Sequence, residues 1–165
     1  MSVARRRLLT IEEIRTALAE NPKRIRSVTA RLPAARLHAE PAADEWSAND
    51  VLAHLRACAD VWGNAIATIL AEDAPTLRGV NPRTWIRETN YPELKFRPSL
   101  RAYAEQRAGL LARLAELPPA DWEHTATVHA WGQVYERSLH EYADQLARHE
   151  GIHVKQIESI VAAVR

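Results

Sequence analysis

The C-terminal part of the sequence carries an apolar pattern with the period of an α-helix. Between residues 139 and 160, apolar, aromatic and histidine side chains recur every three or four positions, which places them on one helix face. Ser138 precedes this pattern and Glu141 follows it three residues later, the pairing of a capping box that begins a helix. A long amphipathic helix of this kind must bury its apolar face against other elements. The face consists of Leu139, Tyr142, Leu146, His149, His153, Ile157 and Ile160.

The N-terminal part predicts a helix that is interrupted. Thr10 and Glu13 form a second capping-box pattern, and an apolar stripe then extends to Leu32. The dipeptide Asn21-Pro22 lies inside this stripe. Because a proline in a helix interior costs about 3 kcal/mol, the sequence predicts a break here, with Asn21 capping a second segment.

Two more helices complete the pattern. One begins after Ser47 and continues as an apolar stripe to Ile69, and the other begins near Ser99 and ends at Pro118-Pro119. Residues 33–46, 73–98 and 117–137 are predicted connectors, the second of them with a short helix from Asn81-Pro82 to Ile86. No convincing run of alternating strand residues is present. The predicted fold is therefore all-α, a four-helix bundle with long connectors in a single domain over residues 1–165, whose topology need not be simple up-down-up-down.

Composition excludes several classes of function. Lys plus Arg total 22 against 21 for Asp plus Glu, so a dedicated nucleic-acid binder, with its basic excess, is not expected. No apolar run approaches the ~20 residues that span a bilayer, and no apolar core follows the basic N-terminal residues as in a signal peptide. A single cysteine, Cys58, excludes an internal disulfide. We expect a cytoplasmic protein without nucleic-acid or membrane partners.

Three histidines occupy positions that should face the bundle interior. His149 and His153 lie one turn apart on the last helix, and His54 lies on the stripe of the second. Neutral imidazoles bind zinc, nickel, copper or iron, and three protein ligands leave a position open for water or substrate. The alternative is a set of core histidines bonded to Tyr142, Gln145 or backbone carbonyls. The other four histidines are predicted to be surface or loop residues: His38, His124, His129 and His140.

Five further residues are candidates for the site, and most of them also have a structural explanation. Cys58 is either a fourth ligand or nucleophile, or a small core residue, which is commoner. Asp50 either orients the His54 ring or stabilises a helix N-terminus. Arg107 either binds a substrate carboxylate or forms an ion pair between helices. Tyr142 points inward if the periods hold and is, with Arg107 and Trp85, a candidate for a substrate pocket. Trp85 is also a candidate lid over the site, although most of the tryptophans are anchors of the core or of linkers.

Several segments resemble the DinB-like (YfiT-like) superfamily. The run from Glu45 to Leu55, EWSANDVLAHL, resembles the start of its second helix. The SLHE start at Ser138 and the run RHEGIHVKQI from Arg148 resemble its last helix, and residues 100–114 fit its third. The resemblance covers nearly the whole chain, and the order and spacing of the segments are more specific than any one of them.

The resemblance implies a four-helix bundle, often dimeric, that holds a divalent metal through His54, His149 and His153. It also implies a small-molecule substrate, because members with assigned roles are thiol-dependent transferases that use bacillithiol or mycothiol, or a mycothiol-dependent maleylpyruvate isomerase. Our prediction is an enzyme that uses zinc or nickel and transfers a low-molecular-weight thiol. The alternative is a non-catalytic dimeric bundle that binds a metal or a small molecule. Metal-assisted hydrolysis ranks last, because Glu150 points about 100° away from His149 and no other general base is apparent.

Overall fold

Four long helices account for most of the protein. The computed structural model describes residues 6–165, so the first five residues of the predicted domain lie outside the described residues. None of the described helices is long and apolar enough to cross a membrane. In chain order the helices are α1 (Ile11–Thr29), α2 (Ala34–Leu37), α3 (Ala48–Ala71), α4 (Pro82–Trp85), α5 (Phe96–Ala115) and α6 (Leu139–Val164). Short 3-10 turns cover Ile86–Glu88, Tyr91–Glu93 and Pro119–Glu123.

Capping boxes set the start of three of the long helices. Thr10 and Ser138 accept hydrogen bonds from the backbone N–H of Glu13 and Glu141, whose carboxylates accept from the cap residues in return. Ser47 and Asp50 form the same reciprocal pair at the start of α3. Each box satisfies donors that a helix N-terminus leaves without partners. The predicted starts of these helices are confirmed.

The predicted break at Pro22 is wrong. Helix α1 continues through Pro22, which is itself buried. Leu18 and Ile25, one turn before and one turn after it, are both fully buried, and the Asn21 amide donates to Glu150 on α6. Packing on both sides of the proline therefore outweighs the local cost of about 3 kcal/mol.

Helix α5 begins earlier than predicted. It starts at Phe96 rather than Ser99, so Pro98 occupies the first helical turn. A proline is accommodated there because the first N–H groups of a helix have no partner inside the helix.

The prediction of an all-α chain is wrong in one respect, since a small three-stranded sheet covers one part of the bundle. Strands β1 (Thr76–Arg78), β2 (Thr125–Ala130) and β3 (Gln133–Ser138) lie in the order β1-β2-β3, with β1 parallel to β2 and β2 antiparallel to β3. Ala126, Val128 and Ala130 alternate inward against the core. The strands are short, and Trp-Gly stands at the hairpin turn where Asn-Gly is usual, so the sequence signal is weak.

The four long helices form a ring in which sequence neighbours are not all adjacent. Helix α6 packs mainly against α1 and α3, and α5 packs mainly against the same two helices. Helices α1 and α3 therefore lie diagonally across the bundle, as do α5 and α6. The connection from α5 to α6 crosses this diagonal through β2 and β3. This arrangement differs from an up-down-up-down bundle, in which consecutive helices are neighbours.

A layer of polar side chains divides the interior into two apolar clusters. One cluster contains Leu18, Cys58 and Leu146 together with the sheet, and the other contains Ile25 and Val154. Between them, every long helix contributes a polar residue. These residues are Asn21 of α1, His54 of α3, Arg107 of α5, and His149, Glu150 and His153 of α6.

A buried ion pair forms one half of this layer. The Arg107 guanidinium donates to Oε1 of Glu150, and the Asn21 amide donates to Oε2 of the same carboxylate over 3.2 Å. Glu150 is fully buried, and burial raises its pKa while the Arg107 charge opposes the rise. The neighbouring Tyr103 hydroxyl has its pKa raised by burial and by the negative charge of Glu150. Asn21, Arg107 and Glu150 thus join α1, α5 and α6 at one level of the bundle.

Breaking this pair should strongly destabilise the fold. Arg107→Met leaves an uncompensated buried carboxylate, and we expect the free energy of unfolding to fall by about 3–5 kcal/mol. Replacing both charges, with Arg107→Met and Glu150→Met together, should restore most of that loss because no buried charge remains. Urea denaturation of the metal-free protein measures each value.

Arg24→Met is the matched control. Arg24 of α1 pairs with Glu158 of α6 at 2.7 Å, and both side chains are more than a third exposed, whereas the Arg107–Glu150 pair between α5 and α6 is buried. Its loss should cost less than about 1 kcal/mol. Equal losses for Arg107→Met and Arg24→Met would contradict the importance assigned to burial of the pair.

Candidate functional site

The three histidines predicted from the helical period come together on one side of the polar layer. His149 Nε2 lies 3.4 Å from His54 Nε2 and 3.2 Å from His153 Nε2. One ring nitrogen from each residue lies within 4.8 Å of the others, and His54 is buried while the other two are half-buried. Helix α6 presents two of the rings because they stand one turn apart, and α3 supplies the third.

This geometry fits a metal ion. Ligand nitrogens about 2.0–2.1 Å from a tetrahedral zinc are separated by about 3.3 Å, close to the two Nε2–Nε2 distances. A neutral imidazole carries only one N–H, so three converging Nε2 atoms cannot all be satisfied by one another. A single cation accepts all three lone pairs at once. The hydrogen bonds to Tyr142, Gln145 or backbone carbonyls that the alternative required are not among the contacts of these three rings in residues 6–165.

Burial keeps the three rings neutral. Burial, together with the charge of a protonated His153, lowers the pKa of His54 and of His149 to about 4. It also lowers the pKa of His153, although the bond to Gln156 opposes the shift. Neutral imidazole is the form that binds a metal, so the site needs no deprotonation at neutral pH.

Gln156 fixes the orientation of one ring. Its Oε1 lies 2.7 Å from His153 Nδ1, which therefore carries the proton and leaves the Nε2 lone pair directed at the other two rings. The Nδ1 atom of His149 is buried without a hydrogen-bond partner in the described part of the chain. His153 thus has a supporting partner of the kind that metal-bound histidines usually have, and His149 does not.

An open hollow of about 320 Å³ lies over the three rings. Trp62 contacts the His149 ring edge-on, with centroids 4.9 Å apart, and Trp46 contacts the His54 ring at 5.3 Å. The lining contains no carboxylate among the described residues. It consists of His54, Cys58, Trp62, Asn81, Pro82, Arg83, Gln145, His149 and His153.

Arg83 gives the hollow a positive rim. It lies on the short helix α4, with its guanidinium 5.5 Å from the Trp46 ring centroid. Its charge contributes to the lowered pKa values of all three histidines, after the larger effect of burial. The side chain has no ion pair or hydrogen bond to a residue in 6–165, so the guanidinium is available to an anion.

Two residues near the histidines have structural roles. The Cys58 Sγ lies 3.5 Å from His54 Nε2, but the side chain is fully buried in the apolar cluster, and burial raises its thiol pKa to about 12. It does not belong to the group of metal-ligating atoms. Asp50 accepts from the N–H and the hydroxyl of Ser47, at 2.9 and 2.7 Å, and so caps α3.

The predicted pocket residues lie in two different places. Arg107 lies in the core with Glu150, as the ion-pair reading had it, and lines none of the hollows around the histidines. Tyr142 and Trp85 line a neighbouring pocket that shares Trp62 with the histidine hollow. The Trp85 indole donates to Asp60 over 3.1 Å.

The remaining histidines lie apart from the site. His38, His124 and His129 are exposed. His140, at the start of α6, is half-buried, and its Nε2 lies 2.7 Å from the Leu9 carbonyl oxygen.

Sequence reasoning missed three residues of the site. Gln156 could have been found, because it follows His153 by three positions and so lies on the same face of the helix. Arg83 and Trp46 come from irregular connectors whose path over the site has no periodic signal.

Comparison with known proteins agrees with this architecture. A family model described as the DinB superfamily matches residues 17–157. Among solved structures, YfiT from Bacillus subtilis aligns with a TM-score of 0.75 and 16% identity, over 96% of this chain and 91% of that chain. That protein is described as "a probable metal-dependent hydrolase with an unusual four-helix bundle topology". No curated protein matches the sequence. On the family match, the helical arrangement and the position of the three histidines, the chain belongs to the DinB superfamily.

Proposed function

We propose that this protein is a metal-dependent enzyme in which His54, His149 and His153 hold one divalent ion, zinc or nickel. The reaction is the transfer of a low-molecular-weight thiol to a small electrophilic substrate. One observation carries the proposal: three neutral Nε2 atoms converge at the bottom of an open hollow. Three protein ligands with solvent access are the arrangement of catalytic rather than structural zinc sites.

The choice of a thiol over water rests on the lining of the hollow. Hydrolysis generally uses a positioned base to activate water, and among the described residues the carboxylates nearest the rings, such as Glu45 and Asp50, line the adjoining hollows and not the one over the three rings. Glu150 cannot serve, because it is fully buried and bonded to Arg107 and Asn21. A bound divalent metal would lower the pKa of a coordinating thiol far enough that its proton passes to solvent and no separate base is needed.

The side chains around the triad have separate tasks in this proposal. Arg83 attracts an anionic thiol or its carboxylate, and Gln156 keeps the His153 lone pair directed inward. Trp46 and Trp62 exclude water from the two sides of the rings. In the transfer, the sulfur forms a bond to the electrophilic carbon, and the leaving group departs with the electrons of the bond that breaks.

Metal content tests the ligand set. We expect the protein, after reconstitution with zinc or nickel and dialysis, to retain about one ion per chain by elemental mass spectrometry. The double variant His149→Ala, His153→Ala should retain less than about a tenth of that, since one imidazole cannot hold the ion alone. His124→Ala, an exposed histidine away from the site, is the control and should bind as the wild type does. A wild-type protein that stays metal-free after reconstitution would overturn the proposal.

Gln156 should increase the affinity of the histidine site for a metal ion. Removing the oxygen that accepts from His153 Nδ1, as in Gln156→Leu, should weaken metal binding about 10–100-fold, measured by competition with a chelating dye. Gln156→Glu keeps an acceptor of the same length and should bind at least as tightly as the wild type. If both variants match the wild type, the bond does not orient the ring.

The reaction is tested with thiols and a reporter electrophile. Zinc- or nickel-loaded protein is incubated with monobromobimane and either cysteine, bacillithiol or mycothiol, and the conjugate is quantified by mass spectrometry. We expect catalysis above the uncatalysed rate, reduced about 100-fold or more in His149→Ala, because the bound metal supplies several kcal/mol of the barrier reduction.

A parallel ester-hydrolysis assay without thiol separates the alternatives. Metal- and triad-dependent hydrolysis without thiol conjugation would replace the transferase with a hydrolase. A protein that binds metal but catalyses neither reaction would be the non-catalytic bundle, whose predicted dimerisation can be measured by analytical ultracentrifugation.

A further inference from the structure

A second pocket, of about 200 Å³, lies between α3, the sheet and α6. Its walls are mainly apolar and include five aromatic side chains: Trp62, Trp85, Trp131, Tyr135 and Tyr142. An apolar cavity of about 150 Å³ accepts a benzene ring, so this space suits one or two fused rings. Pockets for small molecules are concave, apolar and lined by a few polar groups, and this one has that composition.

Trp131, at the edge of this pocket, has a backbone conformation and an exposure that do not favour the stability of the fold. It has φ +49°, a left-handed conformation that is rare for bulky residues, and Gly132 follows with φ +75°. Positive φ at both central residues is the requirement of a type I′ hairpin turn, which Asn-Gly fulfils with less strain. The indole is also 74% exposed. A strained backbone that displays a large apolar side chain indicates a functional position, here at the edge of the pocket.

The charge of the pocket is positive. Among the described residues that line it, the only charged ones are Arg78 and Arg137. The Arg137 guanidinium lies 4.3 Å from the Tyr142 ring centroid. It donates to two uncharged oxygens, the side-chain oxygen of Gln145 and the backbone carbonyl of Glu141. An anionic group would therefore find a charged donor beside an aromatic wall.

Trp62 connects this pocket to the histidine hollow. It lines both, and its ring contacts His149 at 4.9 Å. A molecule in the aromatic pocket thus lies one side chain away from the histidine triad.

We propose that the aromatic pocket binds a flat aromatic anion, namely an aryl carboxylate or sulfonate of one or two rings. The ring packs between Trp85, Trp131 and Tyr142, and its anionic group faces Arg137. That a ligand of this class, when it also carries an electrophilic carbon with a leaving group, is the substrate rests on the proposed function above. Binding itself depends on the aromatic walls and the arginine and not on the metal.

The experiment is isothermal titration calorimetry of the full chain with 2-naphthoate, with and without added zinc. The neutral analogue 2-naphthamide should bind about tenfold more weakly, because a charge-assisted hydrogen bond is lost. Ala65→Phe, which fills the pocket from α3, should reduce affinity at least about tenfold. Trp131→Ala should reduce affinity about three- to tenfold.

Val134→Ala is the matched control for Trp131→Ala. Val134 lies in the same hairpin and is 63% exposed, but it does not line the pocket. It should bind 2-naphthoate as the wild type does, and thermal unfolding checks that each variant is folded. Because Trp131 is exposed, its variant stays informative even if Ala65→Phe fails to fold.

The outcomes separate this inference from the proposed function. Undiminished 2-naphthoate binding in His149→Ala supports an aromatic pocket that is independent of the metal, even if thiol transfer is not found. An absence of binding to the wild type, or equal affinity in wild type, Ala65→Phe and Trp131→Ala, would overturn the inference and leave the metal site unaffected. Equal affinity for naphthoate and naphthamide would overturn the role given to Arg137.

Discussion

The buried contact between Glu150 and Arg107 determines how the last helix is rotated in the bundle. Successive residues of an α-helix are about 100° apart, so turning Glu150 towards α1 and α5 turns His149 towards α3. His153, one turn further, follows on the same side. A sliding or rotation of α6 would leave a buried carboxylate without its partners, which is far costlier than exposing part of an apolar side chain. The same turn of α6 therefore contributes Glu150 to the ion pair on one face and His149 to the histidine triad on the other.

The site lies between two apolar clusters that hold its helices in place, and a connector forms its open rim. Apolar clusters above and below it hold α3 and α6, which carry the three imidazoles, so the ligand set stands on packed helices. The connector between α3 and α5 supplies Asn81, Arg83 and Trp85 at the rim. Loops tolerate sequence change better than cores do. The lining of the rim can therefore vary in the connector while the helices keep the three histidines in place.

The sequence predicts the parts that depend on local pattern. Capping residues and helical spacing located the starts of α1, α3 and α6 and placed His54, His149 and His153 on interior faces. The sequence does not predict features whose local cost is offset by contacts with distant parts of the chain. Pro22 remains in a helix because residues on both sides of it are buried, and Arg107 finds Glu150 forty-three positions away. The sheet was missed because its strands are short, β1 pairs with the distant strand β2, and the β2–β3 hairpin has Trp-Gly at its turn in place of the usual Asn-Gly.

Trp62 lies between the histidine hollow and the aromatic pocket and lines both of them. On one side the histidine hollow contains three imidazoles and has Arg83 at its rim, and on the other the aromatic pocket is mainly apolar and contains Arg78 and Arg137. The proposed transfer would place a charged nucleophile in the first space and an aromatic acceptor in the second, with the two meeting beside Trp62. An indole that lines both spaces provides a flat boundary whose edge touches His149. The separation of two hollows with different linings is thus a consequence of where α3 places a single large side chain.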